Sequence, residues 1–170
     1  MQDDASLLAA DRQARVDALD VTRSFIVQAP AGSGKTELLI QRYLCLLASV
    51  ADPEEVVAIT FTRKAAMEMQ LRVVEALARA ADGVDGEAEH EQRTMAAARA
   101  VLARNAERGW QLPESPRRMR IQTLDAFCAS VARLLPVSSG LGGVDENGCR
   151  CRYGASVPRG RGVDAGITCR

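Results

Sequence analysis

The sequence predicts an α/β fold, a parallel sheet flanked by helices, and three observations carry that prediction. Short apolar, β-rich runs recur at "SFIVQA" (24–29), "VVAITF" (56–61) and "RIQT" (120–123). Segments with apolar residues at helical spacing stand between them. A glycine-rich loop joins the first run to the first of those segments. Strands alternating with helices are joined by crossovers, which make neighbouring strands parallel, right-handed in connection and covered by helices on both faces.

The elements follow in order. A helix carrying Leu8 and Leu19 opens the chain. Residues 24–29 read as a buried strand entering the glycine loop. Leu38, Leu39, Tyr43, Leu46 and Leu47 mark a helix over 35–48, broken by "DP" at 52–53. Residues 56–61 read as a second buried strand. Over 64–81, Ala65, Met69, Val73 and Leu77 recur every four residues, and Gly83 closes that helix. Met67, Leu71 and Val74 read as further packing residues. An acidic stretch (82–91) leads to an Ala- and Arg-rich helix ending near Gly109. Its mixed charges fit a solvated face, with the flank of a DNA channel as the alternative. "LPESP" is a loop, and 120–123 is the third strand. In the last helix Leu124, Phe127, Cys128, Val131, Leu134 and Leu135 share one face.

With 170 residues, 47% of them hydrophobic, the chain amounts to one domain or a piece of a larger one. Lys and Arg number 22 against 22 Asp and Glu, so no global field draws it to nucleic acid, and any basic surface is local. The opening "MQDDASLLAADR" has acids where a signal peptide carries bases, and no apolar run reaches the roughly 18 residues of a membrane span. The expectation is a cytoplasmic protein without a membrane partner. Cys45 and Cys128 read as buried, reduced thiols, whereas Cys149, Cys151, Cys169 and His90 lack metal-ligand spacing. After Pro136 the pattern dissolves: 8 of the 13 glycines and 3 of the 5 cysteines fall in 137–170. Two regions result, an α/β domain over 1–136 and a Gly-, Arg- and Cys-rich tail over 137–170. The tail reads as unstructured, either native or the product of a frameshift.

"APAGSGKT" is the strongest chemical signal. Ala29, Pro30, Ala31, Gly32, Ser33, Gly34, Lys35 and Thr36 satisfy a phosphate-loop pattern, with Ala29 where glycine is usual. Gly32 and Gly34 let the backbone turn its N–H groups inward on one anion, and the following helix adds its positive end. Lys35 reaches the outer phosphates and Thr36 offers a hydroxyl to Mg²⁺. The pattern implies a nucleoside triphosphate, ATP with Mg²⁺, held by 29–37 with Glu37 included.

The second strand runs into "AITFTRKAAMEMQLR" (58–72). With the loop, this resembles superfamily 1 DNA helicases of the UvrD/Rep and RecB/AddA group. That group carries T-F-T-x-K-A-A-x-E-M-x-x-R here, matched by Thr60, Phe61, Thr62, Lys64, Ala65, Ala66, Glu68, Met69 and Arg72. "TLDAFC" (123–128) is similar to its T-h-H-x-F-C segment, with Asp125 where histidine is common. The resemblance spans 6–136 and implies part of a RecA-like P-loop NTPase domain in an ATP-driven motor on single-stranded DNA and duplex ends. It implies phosphate contacts from Thr60, Thr62, Arg63, Lys64 and Thr123, and base stacking on Phe61. The ordinary alternative buries Phe61, leaves Lys64 solvated and makes Thr123 a helix cap. The group also reads adenine with a glutamine upstream of the loop; Gln13 is the candidate, with Arg15 as a rival.

Hydrolysis needs a carboxylate for Mg²⁺, a group orienting water, and distal arginines. The group takes the first from an apolar strand ending in D-E and the arginines from a second motor domain. No such strand follows residue 61, and "VDEN" (144–147) lacks one. The chain therefore reads as a truncated first motor domain with negligible turnover alone, from a parent that pairs with a nuclease or helicase subunit. Another phosphate-loop enzyme such as a kinase, or a non-catalytic nucleotide- or nucleic-acid-binding protein, is the alternative.

Overall fold

The computed structural model describes residues 2–134, with side chains from residue 8 onward. The tail predicted over 137–170, and Leu135, lie outside the described residues. Residues 1–123 form one compact unit, and the chain from Leu124 on forms a second.

In the first unit the order is α1 (Gln2–Asp17), α2 (Lys35–Ser49), β1 (Val57–Thr60), α3 (Arg63–Ala81), α4 (Glu89–Arg108) and β2 (Arg120–Thr123). Single 3-10 turns at Pro53–Glu55 and Pro116–Arg118 lead into the strands. β1 and β2 pair in parallel, with Val57 opposite Arg120 and Thr60 opposite Thr123. Two helices and their loops separate the strands, which is what a parallel pair requires. Local chemistry sets the boundaries. The Thr62 hydroxyl caps α3 by accepting from the Ala65 amide at 3.1 Å. Gly109 ends α4 at φ 65°, where a side chain would be strained.

The core lies among the helices. α2 packs on α4, α4 on α3, and α3 on both strands. Leu44, Leu47, Val73, Ala98, Val101 and Leu112 are fully buried in it. Trp110, also buried, donates its indole N–H to the Ala51 carbonyl at 3.1 Å. Arg42 donates to the carbonyls of Ala18, Asp20 and Arg23, so one guanidinium holds the turn after α1. Phe25 lies between Arg23 and Arg42, each 5.2 Å from its ring centre.

Several expectations are corrected. Residues 24–29 form no strand: they run as irregular backbone with Ile26 99% exposed. A parallel strand is stabilised only by a neighbour on its flank, and among the described residues β1 and β2 pair with each other alone. β1 is not buried on both faces. Ala58 is half-buried against the core, while Val57 and Ile59 on the other face are exposed. Among the helical positions Leu39, Met67 and Leu71 point to solvent, and Ile40 and Leu44 fill the core instead. Cys45 is half-buried, and burial pushes its thiol up.

The second unit begins with α5 (Leu124–Leu134), the only element described in it. Leu124, Val131 and Leu134 are exposed along it, and Cys128, expected to be buried, is exposed as well. Among the described residues no helix is long and apolar enough to cross a membrane.

Candidate functional site

Residues 30–34 turn tightly between the irregular 24–29 segment and α2. The Ser33 amide donates to the Pro30 carbonyl at 3.4 Å. Gly32 and Gly34 both stand at φ 79°. No atom lies within 4 Å of a Cβ built at Gly32, so glycine is needed there for its backbone angle and not for space. The Gly34 carbonyl accepts the first bond of α2, from the Leu38 amide at 3.1 Å. The amides of Lys35, Thr36 and Glu37 find no acceptor among the described residues. They leave the positive end of a 15-residue helix open to an anion.

The loop's own lysine turns back onto the loop backbone. Lys35 Nζ donates to the Ala29 carbonyl at 2.8 Å and to the Pro30 carbonyl. Thr36 is exposed beside it. Glu37 turns the other way and accepts from the Thr94 hydroxyl of α4 at 2.6 Å. That hydroxyl in turn accepts from Gln41, at 3.0 Å. Of the residues predicted to hold nucleotide, Glu37 thus also fastens α2 to α4.

Beside the loop lies a cavity of about 310 Å³. Asp11 and Arg15 of α1 line one wall, Phe25 to Ala29 another, and Ser33, Lys35 and Leu38 complete it. The volume falls at the small end of ligand pockets. The Ser33 hydroxyl is buried and has no hydrogen-bond partner among the described residues. A polar ligand in the cavity would supply one; the lining also holds the Lys35 ammonium, which suits a phosphate, and the carboxylates of Asp11 and Asp17, which do not. Gln13 does not itself line the cavity; it donates at 2.8 Å to Asp17, which does. Its rival Arg15 does line it, pairing with Asp11 at 2.8 Å and donating to the Ser33 carbonyl at 2.8 Å. Asp11 escaped the sequence reading, although its spacing four residues before Arg15 is the pattern of a helical ion pair.

The second predicted cluster sits where the strands end. Thr60 and Thr123 are register partners at the ends of β1 and β2. Phe61 is 97% exposed, which removes the alternative of a core phenylalanine. Arg63 and Lys64 open α3, are exposed, and make no ion pair among the described residues. The Thr60 hydroxyl donates to the Thr62 carbonyl at 3.1 Å, and Thr62 is committed to its cap as acceptor. The cluster offers a bare aromatic face, two cations and a helix start, a set suited to an unpaired nucleic-acid strand.

Comparison with known proteins gives a family for most of the chain. The family described as the UvrD/REP helicase N-terminal domain matches residues 9–143. An ATP-dependent helicase/nuclease subunit of Lactobacillus acidophilus is 33% identical over 125 residues, 72% of this chain and 8% of that protein. The like-named protein of Enterococcus faecalis is 32% identical over 67% of this chain and 8% of its own length. A probable DNA helicase II homolog of Mycoplasma genitalium is 44% identical over 29% of this chain and 7% of its own length. The matched region is thus under a tenth of each of these relatives. No solved structure matches.

Proposed function

The chain belongs to the UvrD/REP helicase N-terminal domain family, and from that premise we propose that it is the opening part of the first, RecA-like motor domain of an ATP-dependent DNA helicase. The parent moves along single-stranded DNA and separates duplex. The names of its relatives support a parent that works with a nuclease subunit. One observation carries the reading: a phosphate loop with both glycines at φ 79° opening directly onto the free amides of α2.

Lys35 exchanges its two loop carbonyls for phosphate oxygens, a stronger partner for an ammonium because the acceptor is charged. Thr36 supplies the hydroxyl that holds Mg²⁺, and the Ser33 hydroxyl finds its missing acceptor or donor. Bound ATP contributes the free energy of its terminal phosphoanhydride. Thr60, Thr62, Arg63, Lys64 and Thr123 hold DNA phosphates, and Phe61 stacks on a base without regard to sequence. Among the described residues neither strand ends in adjacent acids that would organise the metal.

Titration with a fluorescent ATP analogue and with labelled oligo-dT tests the reading. Lys35→Ala is expected to abolish nucleotide binding and leave DNA binding intact. Phe61→Ala is expected to weaken oligo-dT binding by about 1–3 kcal/mol and leave ATP binding intact. Unchanged ATP affinity in the Lys35 variant refutes the assigned site.

A further inference from the structure

We propose that Arg15 is a positioning residue of the phosphate loop: through the Ser33 carbonyl it fixes the direction of the Gly34 amide.

Among the described side chains of α1, Arg15 alone forms a hydrogen bond outside its own helix. Its guanidinium is used as a fork. Nε pairs with Asp11 at 2.8 Å, and Nη2 donates to the Ser33 carbonyl at 2.8 Å. Nη1 lies 3.5 Å from a Cβ built at Gly34, so the group is in van der Waals reach of the loop at that residue. The carbonyl of residue 33 and the amide of residue 34 belong to one planar trans peptide and point in opposite directions. Holding that carbonyl toward α1 therefore aims the Gly34 N–H away from α1.

The restraint matters because of where it acts. Gly34 stands at φ 79°, and the same peptide joins it to Ser33. Glycine reaches both signs of φ at little steric cost, so the 33–34 peptide, like the one before Gly32, is free to turn over unless something holds it. A reversed peptide would present a carbonyl where the loop presents an amide and would repel an anion. The other side chain gripping the loop, Lys35, holds the carbonyls of Ala29 and Pro30 and gives them up when it turns to phosphate. Arg15 is then the remaining side-chain restraint on the loop backbone among the described residues. Asp11 keeps the fork in place, and lysine, which lacks the fork, cannot bond both partners in the same geometry.

The effect on ligand affinity rests on the nucleotide reading above; the effect on the loop does not. Arg15→Gln, Arg15→Lys and Asp11→Asn are made in the full chain, beside Lys35→Ala. The backbone ¹⁵N order parameter at Gly34 in the absence of ligand is expected to fall in Arg15→Gln from about 0.85, the rigid range, to below about 0.6. The effect is smaller in Asp11→Asn, and Leu44 and Val73 in the core do not change. Affinities for ATP and for inorganic tripolyphosphate are both expected to fall by the same factor, roughly tenfold, the scale of one hydrogen bond to a charged group. An unchanged order parameter at Gly34 overturns the proposal. Loss of ATP affinity with tripolyphosphate unaffected also overturns it, since Arg15 would then be a contact to the nucleoside. If neither ligand binds the unmodified chain, the nucleotide reading fails and the order parameter at Gly34 alone decides the role of Arg15. Should Arg15→Gln fail to fold, Arg15→Lys and Asp11→Asn give the same two readouts.

Discussion

Tyr43 shows how one atom can work against the fold that surrounds it. Its ring is part of the core, but its hydroxyl is buried and finds no hydrogen-bond partner. Burial also pushes its ionisation well above the ordinary range for tyrosine. Tyr43→Phe removes the stranded hydroxyl and keeps the ring, so stability in urea is expected to rise by about 1 kcal/mol. The raised value has a pH consequence. The unfolded chain loses this proton first, so the contribution of Tyr43 is complete below about pH 10 and declines above it, by about 1.4 kcal/mol per pH unit. Comparing the alkaline unfolding of the two proteins isolates this slope, which Tyr43→Phe should remove. At this scale the sequence was legible where chemistry is local. The two glycines, Lys35 and Thr36 could be named because their spacing defines a loop. The Arg15–Ser33 bond could not, because it joins residues 18 apart through a turn that no periodicity encodes.

Helices were legible as elements because each carries its own period and its own stops, as Gly83 and Gly109 do at φ 72° and 65°. Which residue faces the core was less legible. Leu39 and Ile40 are adjacent and equally apolar, and only the position of α4 decides that Ile40 is buried and Leu39 exposed. The docking of α4 depends on polar contacts as well. Arg104 donates to the Val50 carbonyl at 3.2 Å, and Trp110 to the Ala51 carbonyl at 3.1 Å. Together they bind the end of α4 to the end of α2. Trp110→Phe keeps an aromatic ring but leaves the Ala51 carbonyl without this donor and the site underfilled. A loss of about 1–3 kcal/mol is expected in urea unfolding followed by far-ultraviolet circular dichroism. A loss below about 0.5 kcal/mol would mean that the indole bond does not hold the two helix ends together.

At the scale of the whole chain, the sequence conveyed the parallel pairing and both partners of the ladder, but not that residues 24–29 would stay outside it. An apolar run shows that a segment favours a sheet; whether an edge is beside it depends on the rest of the molecule. The consequence is an apolar surface, with Ile59 48% exposed and Val57 37% exposed on the face of β1 away from the core. Surfaces of this kind promote association between copies. Ile59→Thr keeps a β-branched side chain and is expected to reduce light scattering at high concentration, with unfolding stability changed by less than about 0.5 kcal/mol. Equal scattering from the two proteins would show that this face is not the sticky one. The ladder also acts as a ruler. Thr60 and Thr123 finish level with each other, so both threonines stand on a common ledge although they are 63 positions apart in the chain. A slip of one residue would carry Thr123 about 3.3 Å past its neighbour and turn Ile121 out toward water. Any ligand that must touch both hydroxyls at once therefore depends on 57–59 and 120–122, residues it need never meet.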